Sequence, residues 1–144
     1  SKAAGVIMHM QKNPRTMQKN PSYGCVTADI ISYLRGQVEK ARSAGIACER
    51  IIIDPGIGFG KTIAHNLALL RNLAEFKILG LPILVGTSRK GFIGKINNAD
   101  MAGRVAGTVA SCVLAVKHGA HIVRVHDVKP IKQALDVTRA ILHD

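Results

Sequence analysis

Ile51-Ile52-Ile53-Asp54-Pro55-Gly56-Ile57-Gly58-Phe59-Gly60-Lys61-Thr62 decides how this chain is read. A run of β-branched apolar residues closed by Pro and Gly has the form of a short buried strand in a parallel sheet. The Asp ends that strand, and the glycines behind it let backbone approach a ligand closely. Two nucleotide-loop patterns fail here by one residue each. A G-x-x-x-x-G-K-[ST] loop needs Gly where Pro55 stands, and G-x-G-x-x-G needs Gly where Lys61 stands. Two readings remain: a ligand-facing loop that carries Asp54 and projects Phe59, or a tight strand-to-helix turn capped by Asp54.

Working outward, similar apolar runs recur at Val6-Ile7-Met8, Ile83-Leu84-Val85 and Ile122-Val123-Arg124-Val125. Helical patterns separate them. Val26, Ile30, Leu34, Val38 and Ala41 make one stripe, with Gly45 where a C-cap would sit. Leu67, Leu70 and Leu73 make a shorter stripe before Gly80-Leu81-Pro82, and the small residues of 103–117 predict a tightly packed helix ended by Gly119. Asp127 is the expected N-cap of a last helix, with Pro130 in its first turn and Ile131, Leu135 and Thr138 on one side. Strand alternating with helix predicts an α/β fold with a parallel sheet. Each strand ends in polar residues: His9 and Gln11, Asp54, Ser88-Arg89-Lys90, then Arg124 and His126. Polar groups at every C-terminal strand end favour a TIM (β/α)8 barrel over an open doubly wound sheet, which gathers them at one switch point. Four βα units supply about half of such a barrel.

Other motifs carry charge. In Gly86-Thr87-Ser88-Arg89-Lys90-Gly91-Phe92 a cationic pair directly follows a buried strand, where an anion or polar heterocycle would account for it; two solvated loop cations are the alternative. On the last strand Arg124 and His126 share a face with Ile122, while Val123, Val125 and Asp127 share the other. Arg offers a bidentate fork for phosphate and His a second donor, a cradle for a diphosphate. Without an anionic ligand, an internal Arg124 would need an unseen carboxylate. On the first strand Met8 and Met10 take one face and His9 the other. His65, His118, His121 and His143 show no partner pattern and read as structural or exposed.

Composition narrows the classes. The 144 residues are 47% hydrophobic, enough for a core, yet no apolar run reaches the length of a membrane span. The start, Ser1-Lys2-Ala3-Ala4, lacks an initiator Met and does not read as a signal peptide, so the chain is expected to be a fragment or a processed form. Cys25, Cys48 and Cys112 form no C-x-x-C or zinc-ligand spacing and read as reduced structural thiols of a cytosolic protein. The formal net charge of +11 either meets an anionic partner or offsets an acidic segment that is absent here. Scattered cations, 3% aromatics and no Trp weigh against nucleic acid.

Met8-His9-Met10-Gln11, Asp54-Pro55-Gly56-Ile57-Gly58-Phe59-Gly60-Lys61, Ser88-Arg89-Lys90 and Arg124-Val125-His126-Asp127 occur in an order and spacing that resembles the dihydropteroate synthases; Asn66 and Gly107-Thr108 fit the same pattern. The resemblance implies that residues 1–144 are the C-terminal part of a single pterin-binding TIM-barrel domain, its fifth to eighth strands. It implies condensation of 6-hydroxymethyl-7,8-dihydropterin diphosphate with p-aminobenzoate to 7,8-dihydropteroate and diphosphate, with sulfonamides competing for the aminobenzoate site. Asp54 would bond the pterin's guanidine-like edge, and Lys90 its ring. Met8, Gly86 and Arg124 would line that pocket, while Phe59, Ser88 and the Lys90 stem would shape the aminobenzoate side. Arg124 and His126 would hold the diphosphate, usually with a Mg2+ whose protein ligand is expected in the missing N-terminal half. The resemblance suggests a homodimer; the cysteines fit a cytoplasmic protein, composition gives no sign of a nucleic-acid or membrane partner, and a half barrel with exposed strand edges and core faces is expected to be inactive on its own. Two departures stand out: Lys12 where the family commonly has Gly, and Gly91 where Ser is frequent.

Overall fold

A computed structural model of the chain describes residues 3–142. Its elements follow the alternation expected from the sequence: β1 (Gly5–Met8), α1 (Val26–Ser43), β2 (Ile51–Asp54), α2 (Ile63–Arg71), β3 (Leu84–Val85), α3 (Gly91–Asn97), α4 (Val105–Lys117), β4 (Ile122–Val123) and α5 (Val128–Leu142). β1 pairs with β2 in parallel, with Met8 opposite Asp54; a parallel bridge from Ile53 to Ile83 joins β2 to β3, and β3 pairs in parallel with β4. Neighbours in space are thus neighbours in sequence. Packing of α1 on α2, α2 on α4 and α4 on α5 makes one continuous helical layer. A doubly wound sheet reverses its strand order and places helices on both faces; a consecutive parallel order under one helical layer is the arc of a (β/α)8 barrel.

Residue parity decides what each strand face meets. Ile51, Ile53 and Ile83 point into the helical layer and join Ile30, Leu34, Leu69, Leu73 and Phe76 in the core. The alternate residues line the opposite face. Val6 and Ile122 on that face are 46% and 38% exposed. In a barrel this face is the lumen, filled by side chains from alternate strands.

Helix ends are set locally. The α1 stripe is buried at Val26, Ile30, Leu34 and Val38. Gly45 follows at φ 87°, with bonds from Gly45 N–H to Arg42 O at 2.9 Å and from Ile46 N–H to Ala41 O at 3.0 Å. That is a Schellman ending, which glycine's freedom at positive φ favours. Thr62 and His65 form a capping box at the start of α2.

Several expectations are corrected. Leu67 is 38% exposed, and Leu69 takes its place in the core. Burial at Asn66, Leu69, Leu70 and Leu73 follows the i, i+3, i+4, i+7 pattern, which a stripe stepping by three drifts away from. The chain from Gly91 to Asn97 forms an unexpected helix, α3, and α4 begins at Val105 after a 3-10 turn at Ala102–Arg104 rather than at Gly103. β4 stops at Val123, although Arg124 N–H still reaches Val85 O at 2.9 Å. Asp127 does precede α5, but Arg89 takes its carboxylate, with Nε to Oδ2 at 2.8 Å and Nη2 to Oδ1 at 2.5 Å. His65 caps α2, His118 Nδ1 contacts Leu70 O at 2.8 Å, and His121 Nδ1 accepts the Ile83 N–H at 3.2 Å. These three are structural, as expected; His143 lies outside the described residues. The cysteines are free, with Cys112 buried against Thr87. Among the described residues no single helix is long and apolar enough to cross a membrane.

The two departures from the family pattern differ in kind. Lys12 sits at φ 61°, a left-handed conformation that glycine adopts freely, and its Nζ bonds Lys19 O at 2.6 Å. A Cβ at Gly91 would meet nothing within 4 Å, so a Ser fits there. Gly56 is the opposite case: at φ 71°, its Cβ would lie 1.9 Å from His9 O. Gly91→Ser should therefore change stability by no more than about 0.5 kcal/mol, and Gly56→Ala should cost about 3 kcal/mol or more, both read from urea unfolding. A Gly56→Ala protein as stable as wild type would refute this packing.

Candidate active site

The lumen face gathers the polar residues. Asp54 ends β2, fully buried, because the next residues must turn sharply into the glycine loop. Its Oδ1 accepts the Gly56 N–H at 2.7 Å, and its Oδ2 lies 3.5 Å from Arg124 Nη2. Both readings of Asp54 meet here: the carboxylate caps its own turn with one oxygen and faces the lumen with the other. It is also the carboxylate that an internal Arg124 requires. Burial pushes the Asp54 carboxyl up, while the Gly56 N–H, Arg124, Lys90 and Lys61 draw it down.

Arg124 reaches across β3 because Gly86 has no side chain; a Cβ there would lie 3.3 Å from Arg124 Nη2. The guanidinium keeps 55% of its side chain exposed while Asp54 keeps 2%, so the pair can still meet an anion from solution. Met8 lies beside Asp54 in the β1–β2 register and is half-buried. On the next turn of the chain Ser88 Oγ accepts the His126 N–H at 3.1 Å and lies 2.9 Å from His126 Nδ1. The hydroxyl oxygen has a second lone pair and one proton, so it meets Nδ1 as acceptor or as donor according to the imidazole tautomer.

Lys90 and Phe59 form the other wall. Lys90 Nζ lies 4.5 Å from the centre of the Phe59 ring and bonds Ile57 O. Gly58 lets the lysine stem pass, since a Cβ there would lie 2.9 Å from Lys90 Cδ. Asn66 braces the same loop, accepting the Gly58 N–H at 2.7 Å and donating to Thr62 O at 2.8 Å.

Met8, Asp54, Gly86 and Arg124 thus form one cluster, Phe59 and Lys90 a second, and Ser88 with His126 a third. Electrostatic interaction between Lys90 and Asp54 links the first two. Arg89 does not join them. Its fork is spent on Asp127, its backbone stands at φ 53°, its N–H bonds Thr108 Oγ1 at 2.9 Å and its carbonyl accepts Arg104 Nη1 at 3.0 Å. That left-handed residue turns Ser88 and Lys90 to opposite walls.

The sequence missed a buried set behind the glycine loop. Lys61, 4% exposed, lies 3.0 Å from His9 Nδ1. The His9 ring packs edge-on against Tyr33 at 4.9 Å and tilted against Tyr23 at 5.9 Å. Strand parity puts His9 on the helix side, the one signal available; nothing marks Tyr23.

Residues 1–126 match the family model described as pterin binding enzyme. The chain belongs to this family. It is 48% identical over 136 residues to the dihydropteroate synthase of Escherichia coli (strain K12), covering 94% of this chain and 48% of that relative. To the dihydropteroate synthase of Synechocystis sp. it is 48% identical over 141 residues, covering 97% of this chain and 49% of the relative. Among solved structures, dihydropteroate synthase from Stenotrophomonas maltophilia with active site-bound imidazole superimposes with a TM-score of 0.93 at 42% identity, covering 96% of this chain and 52% of that one. The Thermus thermophilus enzyme in complex with 4-aminobenzoate gives 0.91 at 45%, covering 96% and 57%. The chain spans about half the length of the curated relatives it matches. Its fold is that of part of a TIM barrel.

Burial lowers Lys61 to about 7 and Lys90 to about 8 from the ordinary lysine value. Above those values the unfolded chain binds more protons than the folded one, so stability rises with pH. Urea midpoints should climb between about pH 7 and pH 9, and more gently in Lys61→Met. Parallel profiles for the two proteins would show that Lys61 titrates normally in the folded state.

Proposed function

We propose that this chain is the C-terminal half of a dihydropteroate synthase, which condenses 6-hydroxymethyl-7,8-dihydropterin diphosphate with p-aminobenzoate and releases diphosphate. The observation that carries the reading is the buried Asp54 carboxylate 3.5 Å from a half-exposed Arg124, on one lumen face with His126. An acceptor that suits a guanidine-like edge stands beside donors that suit a diphosphate. Similar proteins support both halves of this: the Thermus thermophilus synthase has been solved with 6HMPPP and with 4-aminobenzoate, and the Xanthomonas albilineans one with 7,8-dihydropteroate.

Asp54 accepts N–H groups of the pterin, and Lys90 contacts its ring. Met8, Gly86 and Arg124 line that pocket. Phe59, Ser88 and the stem of Lys90 shape the aminobenzoate side. The carbon–oxygen bond to the diphosphate breaks with its electron pair leaving on oxygen, while the aminobenzoate nitrogen forms the new carbon–nitrogen bond and loses a proton. Charge therefore accumulates on the departing diphosphate, where the Arg124 guanidinium offers a fork of N–H donors and His126 a ring nitrogen. Bond breaking can run ahead of amine attack, because the electron-rich pterin spreads positive charge and Asp54 lies beside it. No covalent protein intermediate is needed.

Among the described residues no three His, Cys, Asp or Glu side chains converge on one point. We place the protein ligand of a Mg2+ in the N-terminal half, from where the ion would help neutralise the diphosphate. Cytoplasmic localisation and a homodimer belong to the same proposal, with the small-residue helix α4 as a contact surface. So does sulfonamide sensitivity, as a Yersinia pestis synthase has been solved with a sulfonamide drug.

The test is incorporation of labelled p-aminobenzoate by the full-length product, by this segment alone, and by full-length Arg124→Ala. The full-length protein should turn over, the segment should not, and Arg124→Ala should lose roughly 10²-fold or more in kcat/KM. Absence of turnover in the full-length wild type would refute the assignment.

A further inference from the structure

Four successive carbonyls of the glycine loop each receive a side-chain donor: two from the β1–α1 connection, one from the end of the loop itself and one from the segment after β3. Lys90 Nζ reaches Ile57 O, and Gln18 Nε2 reaches Gly58 O at 2.7 Å. Lys61 Nζ reaches Phe59 O at 2.9 Å, and Tyr23 Oη reaches Gly60 O at 2.7 Å. A loop this rich in glycine has the greatest backbone freedom to lose, and no regular structure to hold its carbonyls. The side chains do that instead.

Two of the four contacts flank Phe59 from behind the lumen. Lys61 and Tyr23 are joined through His9, which lies 3.0 Å from Lys61 Nζ and against the Tyr23 ring. Burial and the neighbouring Lys61 draw His9 down to about 4, so its ring is neutral and Nδ1 accepts from the lysine. Tyr23 packs in turn edge-on against His65, the residue that caps α2, with ring centres 4.9 Å apart. The Phe59 carbonyl and the next one are therefore anchored to β1 and to the start of α2. Neither anchor projects into the lumen.

We propose that Lys61 and Tyr23 are positioning residues: by holding the Phe59 and Gly60 carbonyls they set the Phe59 ring beneath Lys90, and with it the site of the aromatic amine substrate. The inference rests on the dihydropteroate synthase reading. Asp54 keeps its own bonds to Gly56 and Arg124, so removing the Tyr23 hydroxyl leaves the pterin side in place, whereas losing Lys61 also withdraws a positive charge that acts on Asp54. Lys61 has enough donors for His9 and Phe59 O as an ammonium or as a neutral amine, so the anchor does not depend on its protonation.

The experiment is steady-state kinetics of the full-length product with each substrate varied in turn, for wild type, Lys61→Met and Tyr23→Phe. Both variants should raise KM for p-aminobenzoate roughly tenfold, and Tyr23→Phe should change KM for the pterin diphosphate less than about twofold. Tyr23→Phe keeps the ring and removes only the hydroxyl, so it decides the matter if Lys61→Met does not fold. Equal rises in both KM values for Tyr23→Phe, or unchanged KM values with only a lower Tm, overturn the inference and leave the synthase reading standing. No turnover by the wild type overturns both.

Discussion

A carboxylate buried at the end of β2 organises this chain. Taking Asp54 out of water is costly unless hydrogen bonds and opposite charges replace its hydration. The replacement comes from the Gly56 N–H, from Arg124 and from the fields of Lys90 and Lys61. Each source places a demand on the sequence elsewhere. The turn that aims the Gly56 N–H backward needs a glycine at positive φ pressed against β1. The approach of Arg124 needs a bare backbone at Gly86, and the passage of Lys90 needs one at Gly58. The glycines at these positions are thus consequences of one charge.

The surrounding structure keeps that arrangement rigid with hydrogen bonds in place of apolar packing. Arg89 holds a strained conformation because Asp127, Thr108 and Arg104 grip it from three directions. Thr87, Ser111 and Cys112 form a polar seam between β3 and α4. Among the described residues no buried side-chain nitrogen or oxygen lacks a partner. Such networks specify one geometry because a half-satisfied member is expensive. Ser88 is the clearest case: one hydroxyl meets both the backbone N–H and the imidazole Nδ1 of His126, and so holds that ring from two sides.

Much of the fold and site is legible without coordinates. Period-two alternation puts Arg124 and His126 on the Ile122 face and His9 opposite Met8, and every strand delivers its polar residues at its C-terminal end. Asp54 stands out because a carboxylate rarely closes so apolar a run. The exposure of Val6 and Ile122 shows what periodicity cannot supply, since apolar character alone does not say which face the helices cover. Leu67 falls outside the core because three leucines at intervals of three are compatible with more than one helix face; only packing against α1 selects Leu69 and Leu70.

Local periodicity by itself determined the α/β alternation, the strand faces and the cap at Gly45, and strand ends singled out Asp54, Lys90, Arg124 and His126 as candidate site residues. These depend on spacings of two to four residues, which the chain carries in its own order. Tertiary structure alone decided partners. Arg89 binds Asp127, Arg124 finds Asp54, and Lys61 meets His9, pairs separated by dozens of residues with no common period. Which charge neutralises which depends on the strand stagger and on where the glycines let side chains through, and both exist only once the helical layer has closed over the sheet.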